Sequence, residues 1–361
     1  MSNIIIEKAE DPITWDEEIE NFNGSIFITK EWLTTVSGKK CSPVYLRFLE
    51  NNKIVALIGG LEVKAHKGKA VQLYFYSGIA SGINDKFFIK KCKTELYNYA
   101  LKNRYQRISI RSYDQLNHVS AQISHLREKE RVEYVVFLNK SKEELIKGIH
   151  KDKRRKVRKA CELGMVLRKS QSVEMLDNLL SLIDQTYNRR QCKGYGEYEH
   201  FYLPFFSAEE MKKLVVKGRG CFYYTMIDDE ILSNGFIFCY MNKAYALYAG
   251  TSARGYSTYS PSFLFYNVIC ELKDEGYSYL NVGGVQQDER NRGLKQFKDK
   301  LGAQIITSSE ECSNFLTPPL KYLNPLLDLK HYLLEIKVLP WRLKKSVIFV
   351  IDKIIRKRDC Y

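Results

Sequence analysis

The feature that most constrains this chain is that its order of elements repeats. NNKIVALIGG at 51–60 leads to LYFYSGIASG, a helix-like stretch and RISIRS; DDEILSNGFIF at 228–238 leads to ALYAGTSARG, another helix-like stretch and YLNVGG. Gly78 and Gly250 stand 172 residues apart, as do Ile108–Ser112 and Leu280–Gly284, and the turn signals at 51–53 and 228–230 lie 177 apart. A repeat of that length, strand-rich and closing on strand–helix–strand, predicts two copies of one α/β fold. Length agrees, since 361 residues exceed what one core usually holds. The expected boundaries are a first lobe at 1–138, a second at 139–310, and a C-terminal segment at 311–361.

Within the second copy, Ala244–Gly302 carries the most pattern. AYALYAG is a short apolar strand, and TSARGYSTYS is a polar loop that cannot continue it. Ser260-Pro261 has the form of an N-cap followed by proline at the first helical position. Leu264, Val268 and Leu272 then make an apolar stripe that ends at Gly276. A polar loop between a strand end and a helix start offers backbone N–H groups to an anion. Elsewhere, Asn51-Asn52 signals a hairpin, and Thr29 is placed to cap a short helix carrying Trp32, Leu33 and Val36.

Charge is concentrated as well as abundant. The formal net charge is +15, which attracts nucleic acid, anionic lipid or phosphorylated small molecules. Seven of the nine residues from Lys151 to Lys159 are basic. Ser141 and Glu144 form a capping-box pattern, so one helix is expected from there to Gly164. On a helical projection Ile146, Ile149, Val157 and Ala160 share a face, and Lys147, Lys151, Arg154, Arg155, Arg158 and Lys159 share the opposite one. Lys153 falls inside the apolar stripe. The basic face reads either as a solvated surface or as a phosphate-binding one, with Lys151, Arg154, Arg155 and Arg158 as the binding residues.

Other chemistry is excluded by what the sequence lacks. Nine scattered cysteines without a CxxC pair suit reduced, mostly buried thiols of a cytoplasmic protein, and neither they nor the six histidines have metal-ligand spacing. No metal is expected. The N-terminus has no signal-peptide pattern, and no window reaches the ~18–20 apolar residues of a spanning helix. The loop 191–206, rich in tyrosine, reads as substrate-facing or as a packed connector. The tail from Lys330 is basic and amphipathic, with Trp341 at a polar–apolar junction. Packing back on the first lobe and peripheral contact with an anionic membrane at its inner face are the two expectations for it.

Three stretches resemble the FemA/FemB/FemX family of peptidoglycan-bridge aminoacyltransferases, built from tandem GNAT-like lobes. They are KDKRRKVRKACELGM, ALYAGTS with Pro261 and its helix, and GGVQQDERNRGLKQFKDKLGA, similar to a GG…GLxxFKxxFG ending. The resemblance implies an α/β fold of two GNAT-like lobes with mixed sheets flanked by helices. It implies that Lys298 acts catalytically at the reacting carbonyl, that Arg154 and Arg155 bind phosphate, and that Tyr248, Ser252, Arg254, Tyr256 and Phe297 bind substrate. It also implies a donor used as co-substrate, with no bound cofactor, and an amine of a nucleotide- or lipid-linked cell-envelope precursor as acceptor. Departures are visible: Val36-Ser37 follows Trp32 where the family often has a lysine, Asn281 replaces an aspartate, and Leu301 replaces an aromatic residue. They weigh against a lipid-linked peptidoglycan precursor.

The expectation is therefore an acyl- or aminoacyltransferase. The charge favours aminoacyl-tRNA as donor, with tRNA as the partner. Two rivals stand beside it: acyl-CoA-dependent N-acylation of an amino sugar for surface polysaccharide, and a non-catalytic nucleic-acid or membrane-surface binding protein. Arg254-Gly255 is only a faint trace of an acyl-CoA loop.

Overall fold

Asn51 and Asn52 both take positive φ (52° and 59°) and turn the chain between its first two long strands, as their side chains permit. The computed structural model describes residues 3–10, 12–64, 70–192, 201–285, 291–335, 344–351 and 353. Its strands are β1 (Ile4–Lys8), β2 (Cys41–Glu50), β3 (Lys53–Lys64), β4 (Ala70–Phe75), β5 (Arg107–Ile110), β6 (Leu126–Phe137), β7 (Val166–Ser170), β8 (Gly220–Ile227), β9 (Glu230–Tyr240), β10 (Lys243–Thr251), β11 (Tyr279–Gly284) and β12 (Gln304–Ser313). The chain divides into two units, Met1–Glu130 with Ser308–Tyr361, and Arg131–Thr307. The boundaries expected from the sequence are 138/139 and 310/311.

The repeat is plain in the strand pairing. In the first unit β2, β3 and β4 pair antiparallel in turn and β4 pairs β5 in parallel. In the second unit β8, β9, β10 and β11 do the same. A helix crosses over within each parallel pair, Lys86–Lys102 in one and Ser260–Asp274 in the other. The final strand of each set comes from elsewhere in the sequence: β12 runs antiparallel to β5, and β6 antiparallel to β11. EYVVFL, at the end of the first copy in sequence, thus serves the second copy's sheet.

Each unit has its own core. Val44, Leu46, Phe48, Leu73, Phe75, Leu96 and Ile108 fill the first. Tyr134, Val136, Tyr223, Ile237, Leu264, Val268, Leu272 and Leu280 fill the second. The expected stripe of the helix Ser260–Asp274 is the face that it buries. Thr29 caps the helix Lys30–Val36, its hydroxyl accepting from Trp32 N at 3.2 Å.

Three local expectations are corrected. The helix opened by Ser141 does have its capping box, but it ends at Gly148, and a second helix starts at Lys151. Ile149 and His150 between them are extended. The His150 N–H donates to Lys300 O at 3.1 Å, and its Nδ1 accepts from Asp152 N at 3.2 Å, which fixes the break and caps the second helix. The polar loop after β10 is partly helical: Ser252 accepts from Gly255 N at 3.0 Å and starts a short helix, Ala253–Ser257. Ser260 is not the cap of the following helix. That position belongs to Tyr259, at φ 64°, while the Ser260 hydroxyl bonds Ser233 Oγ at 2.6 Å inside the core.

The C-terminal residues belong to the first unit. Leu316 N donates to Gln106 O at 2.8 Å, and the Asn324 side chain bonds both N–H and carbonyl of Phe315. Trp341 and loop residues 193–200 lie outside the described residues.

Candidate active site

The parallel ladder between β10 and β11 lasts three pairs, Lys243↔Tyr279, Ala244↔Leu280 and Tyr245↔Asn281, and then stops although both strands continue. Gly283 accounts for part of this. At φ +74° it takes a backbone conformation that suits glycine, and the register of β11 against β6 shifts between Asn281 and Gly284. The carbonyls of Gly283 and Gly284 are thereby turned toward the helix Arg292–Asp299, whose Lys298 donates to both at 3.0 Å.

Lys298 is 8% exposed. Burial draws its ammonium down to about 7, opposed by Glu133 and reinforced by Arg131. An ammonium has three protons, and two of these meet the glycine carbonyls. The third finds no hydrogen-bond acceptor among the described residues. The Tyr134 ring lies 5.8 Å away, with its hydroxyl buried and without a hydrogen-bond partner among the described residues.

Behind Lys298 sits a carboxylate that sequence reasoning missed. Glu133, 2% exposed, accepts from Arg131 at 2.9 Å, from the Tyr245 hydroxyl at 2.7 Å and from the Asn281 amide at 2.9 Å. Asn281 accepts in turn from Gly283 N at 2.8 Å, so this network holds the glycine turn that positions Lys298. The signal available in the sequence was a lone acid inside the apolar strand EYVVFL. Two of its partners, Tyr245 and Asn281, lie 112 and 148 residues away.

The remaining expected residues fall into separate places. Phe297 packs edge-on against Phe265, at 5.7 Å between centroids, and carries the Lys153 ammonium 3.3 Å from its ring centre. Tyr248 is buried among Phe201, Tyr202 and Phe206. Ser252 is spent as a helix cap, Arg254 is ion-paired to Glu230, and Tyr256 lies under the Arg189 guanidinium at 3.8 Å. None of these four is among the contacts of Lys298. Lys151, Arg154 and Arg158 line one groove with Val157 and Tyr266, whereas Arg155 turns to Asp152 at 3.9 Å. Lys153, in the apolar stripe as its position implied, is 5% exposed; burial first, then Lys156 and Lys300, lower its amine to about 7. Among the described residues no group of three His, Cys, Asp or Glu is placed to hold a metal.

This splayed sheet and buried lysine lie inside a recognisable domain. Residues 148–299 match the family model described as "Acetyltransferase (GNAT) domain". Here the two units find their description. The second unit carries a GNAT-like domain, and the first repeats its order of strands and crossover helix. A solved structure described as FemX superposes with a TM-score of 0.63 at 14% identity, covering 84% of this chain and 96% of its own. L-PGS from Bacillus licheniformis gives 0.49 at 16% identity, covering 82% and 91%. A tandem GNAT protein from the clavulanic acid biosynthesis pathway gives 0.48 at 8%, covering 88% and 99%. At such identities the FemX likeness is one of fold, carried through most of both chains. No curated relative matches the sequence.

Proposed function

We propose that the second GNAT lobe catalyses transfer of an activated acyl group, with an aminoacyl ester of tRNA as donor and an amine of a cell-envelope precursor as acceptor. The observation that carries the transferase reading is the Lys298 ammonium: buried, fastened by two carbonyls, and with one proton uncommitted among the described residues where β10 and β11 part. The acceptor amine attacks the ester carbonyl and negative charge builds on the carbonyl oxygen. Lys298 donates its third proton as a hydrogen bond to that oxygen, an effect typically worth ~3–4 kcal/mol. The C–N bond forms, the C–O bond breaks, and the proton lost by the amine leaves with the ribose hydroxyl. Because the donor arrives activated, the protein need supply only orientation and this electrostatic support.

Support for a tRNA donor comes from the basic groove of Lys151, Arg154 and Arg158 and the +15 net charge. Arg254, the residue nearest an acyl-CoA pattern, is engaged by Glu230. The envelope acceptor rests on the FemA/FemB/FemX-like stretches named above. The test offers the purified protein labelled aminoacyl-tRNA in one arm and labelled acyl-CoA in the other, each with amine acceptors of nucleotide-linked sugars and peptides. Amide-linked label from tRNA alone is the expected result. Label from acyl-CoA alone overturns the donor, and transfer unchanged by Lys298→Ala overturns the mechanism.

A further inference from the structure

The C-terminal helices of the first unit have two faces of different character. Inward, Phe315, Leu320, Leu323, Leu327 and Ile351 form one small core, which joins the helix Asn324–Glu335 to the helical residues 344–351. Outward, the segment exposes Tyr322 (75%) on the 3₁₀ turn Leu320–Leu323, Leu329 and Tyr332 (62%) on the helix Asn324–Glu335, and Val347, Phe349 (67%) and Val350 in the helical residues 344–351. Leu329 and Tyr332 stand at i and i+3, on one side of their helix. Single exposed apolar residues are ordinary on any surface. Here six of the seventeen large exposed hydrophobic side chains among the described residues fall within the 29 positions from 322 to 350. Such a concentration marks a surface that something covers.

Charge identifies the cover. The sequence from Lys330 to Tyr361 has nine Lys and Arg against three Asp and Glu, and Lys321, Lys345 and Lys353 are exposed beside the apolar side chains. A second copy of this chain would set like charges against each other. An anionic lipid surface takes both components, the aliphatic and aromatic side chains at the acyl boundary and the lysines at the headgroups. No helix among the described residues is long and apolar enough to cross a membrane, so the contact is interfacial.

We infer that this outward face of the C-terminal helices binds anionic membrane surfaces peripherally. The inner face holds the C-terminal segment together, and the outer side chains serve the lipid. This inference is independent of the transferase reading, because its test measures no transfer.

Full-length protein is sedimented with vesicles of phosphatidylcholine alone and of phosphatidylcholine mixed with phosphatidylglycerol. Binding to the mixed vesicles only, falling as salt is raised, is the expected result. Phe349→Ser with Val350→Ser should lower the partition about tenfold or more, and Lys345→Glu with Lys353→Glu roughly tenfold or more. All four side chains are exposed, so thermal melts should match the parent; the charge pair keeps the test intact if the apolar pair misfolds. Equal binding to both vesicle types, or no binding by folded protein, overturns the inference. So does self-association of the parent, seen by light scattering, that Phe349→Ser abolishes, since the face would then be a contact between copies.

Discussion

The Lys153 ammonium lies 3.3 Å from the centre of the Phe297 ring, and Phe297 is the residue before Lys298. Two buried lysines thus hold one short helix. Lys298 ties it to β11 through the carbonyls of Gly283 and Gly284, and Lys153 ties it to the basic helix Lys151–Glu162 through the ring. A desolvated cation on an aromatic face contributes about 2 kcal/mol. Lys153 also reaches Ser262 Oγ at 3.3 Å, so the same amine touches the helix that crosses over between β10 and β11.

Lys153→Met keeps the apolar stem and removes the charge, so the helix should stay folded while Lys298 loses its lateral restraint. We expect kcat for acyl transfer to fall about tenfold with KM changed little, as a small misplacement of a catalytic group does. Lys153→Arg, still cationic over Phe297, should recover part of the loss. A change confined to KM would assign Lys153 to substrate binding instead.

Burial brings Lys298 to about 7, so its charge changes near neutrality. In the proposed role the ammonium is the active form. The sign follows: kcat/KM should carry a limb that declines as pH rises through about 7, because deprotonation removes the donor. Lys298→Ala should lower kcat about 10²–10³-fold. Lys298→Arg stays charged at every accessible pH, so whatever activity it keeps should lose that limb. A limb that persists in the arginine variant belongs to another group.

How much of this was legible follows from how local each signal is. The paired turns, the strand–helix–strand order and the stripe Leu264–Val268–Leu272 are set by neighbours in sequence, and they appear where expected. Lys153 stood out because a charge sat at an apolar helical position. Lys298 entered through the FKDKLG resemblance, and nothing in its own helix says that it is buried. Glu133 shows the limit. Its role depends on β6 pairing with β11, and a strand that follows the first copy in sequence gave no sign that it completes the second. The break at Ile149-His150 escaped for a similar reason, since one of its anchors is the carbonyl of Lys300.

Gly283 offers a direct test of the turn. A Cβ there would stand 3.4 Å from the Tyr245 hydroxyl and 3.7 Å from Lys298 Nζ, on a backbone at φ +74°. Gly283→Ala should cost roughly 1–2 kcal/mol in stability from the left-handed conformation. The larger effect should fall on activity, because the carbonyl that seats Lys298 turns with the backbone. A denaturant melt and steady-state kinetics on the same preparation separate the two. An alanine variant with parental activity would show that the turn does not set the lysine.

Asn281 is where the resemblance anticipates an aspartate, and the structure shows what asparagine does there. Its amide donates to Glu133 at 2.9 Å while its oxygen accepts from Gly283 N at 2.8 Å. Asn281→Asp keeps the acceptor but sets a second buried carboxylate against Glu133. Two such groups cannot both ionise at low cost, so the pair should hold one proton to a higher pH than in the unfolded chain. The folded variant then binds more protons than the unfolded one, and its stability should fall as pH rises. Thermal melts should show Asn281→Asp close to the parent at pH 5 and clearly below it at pH 8. Adding Glu133→Gln restores a donor facing the new carboxylate and should remove the pH-dependent part of the loss. A deficit equal at both pH values, or one unrelieved by Glu133→Gln, would mean that Asn281 matters through its shape and not through the charge it withholds.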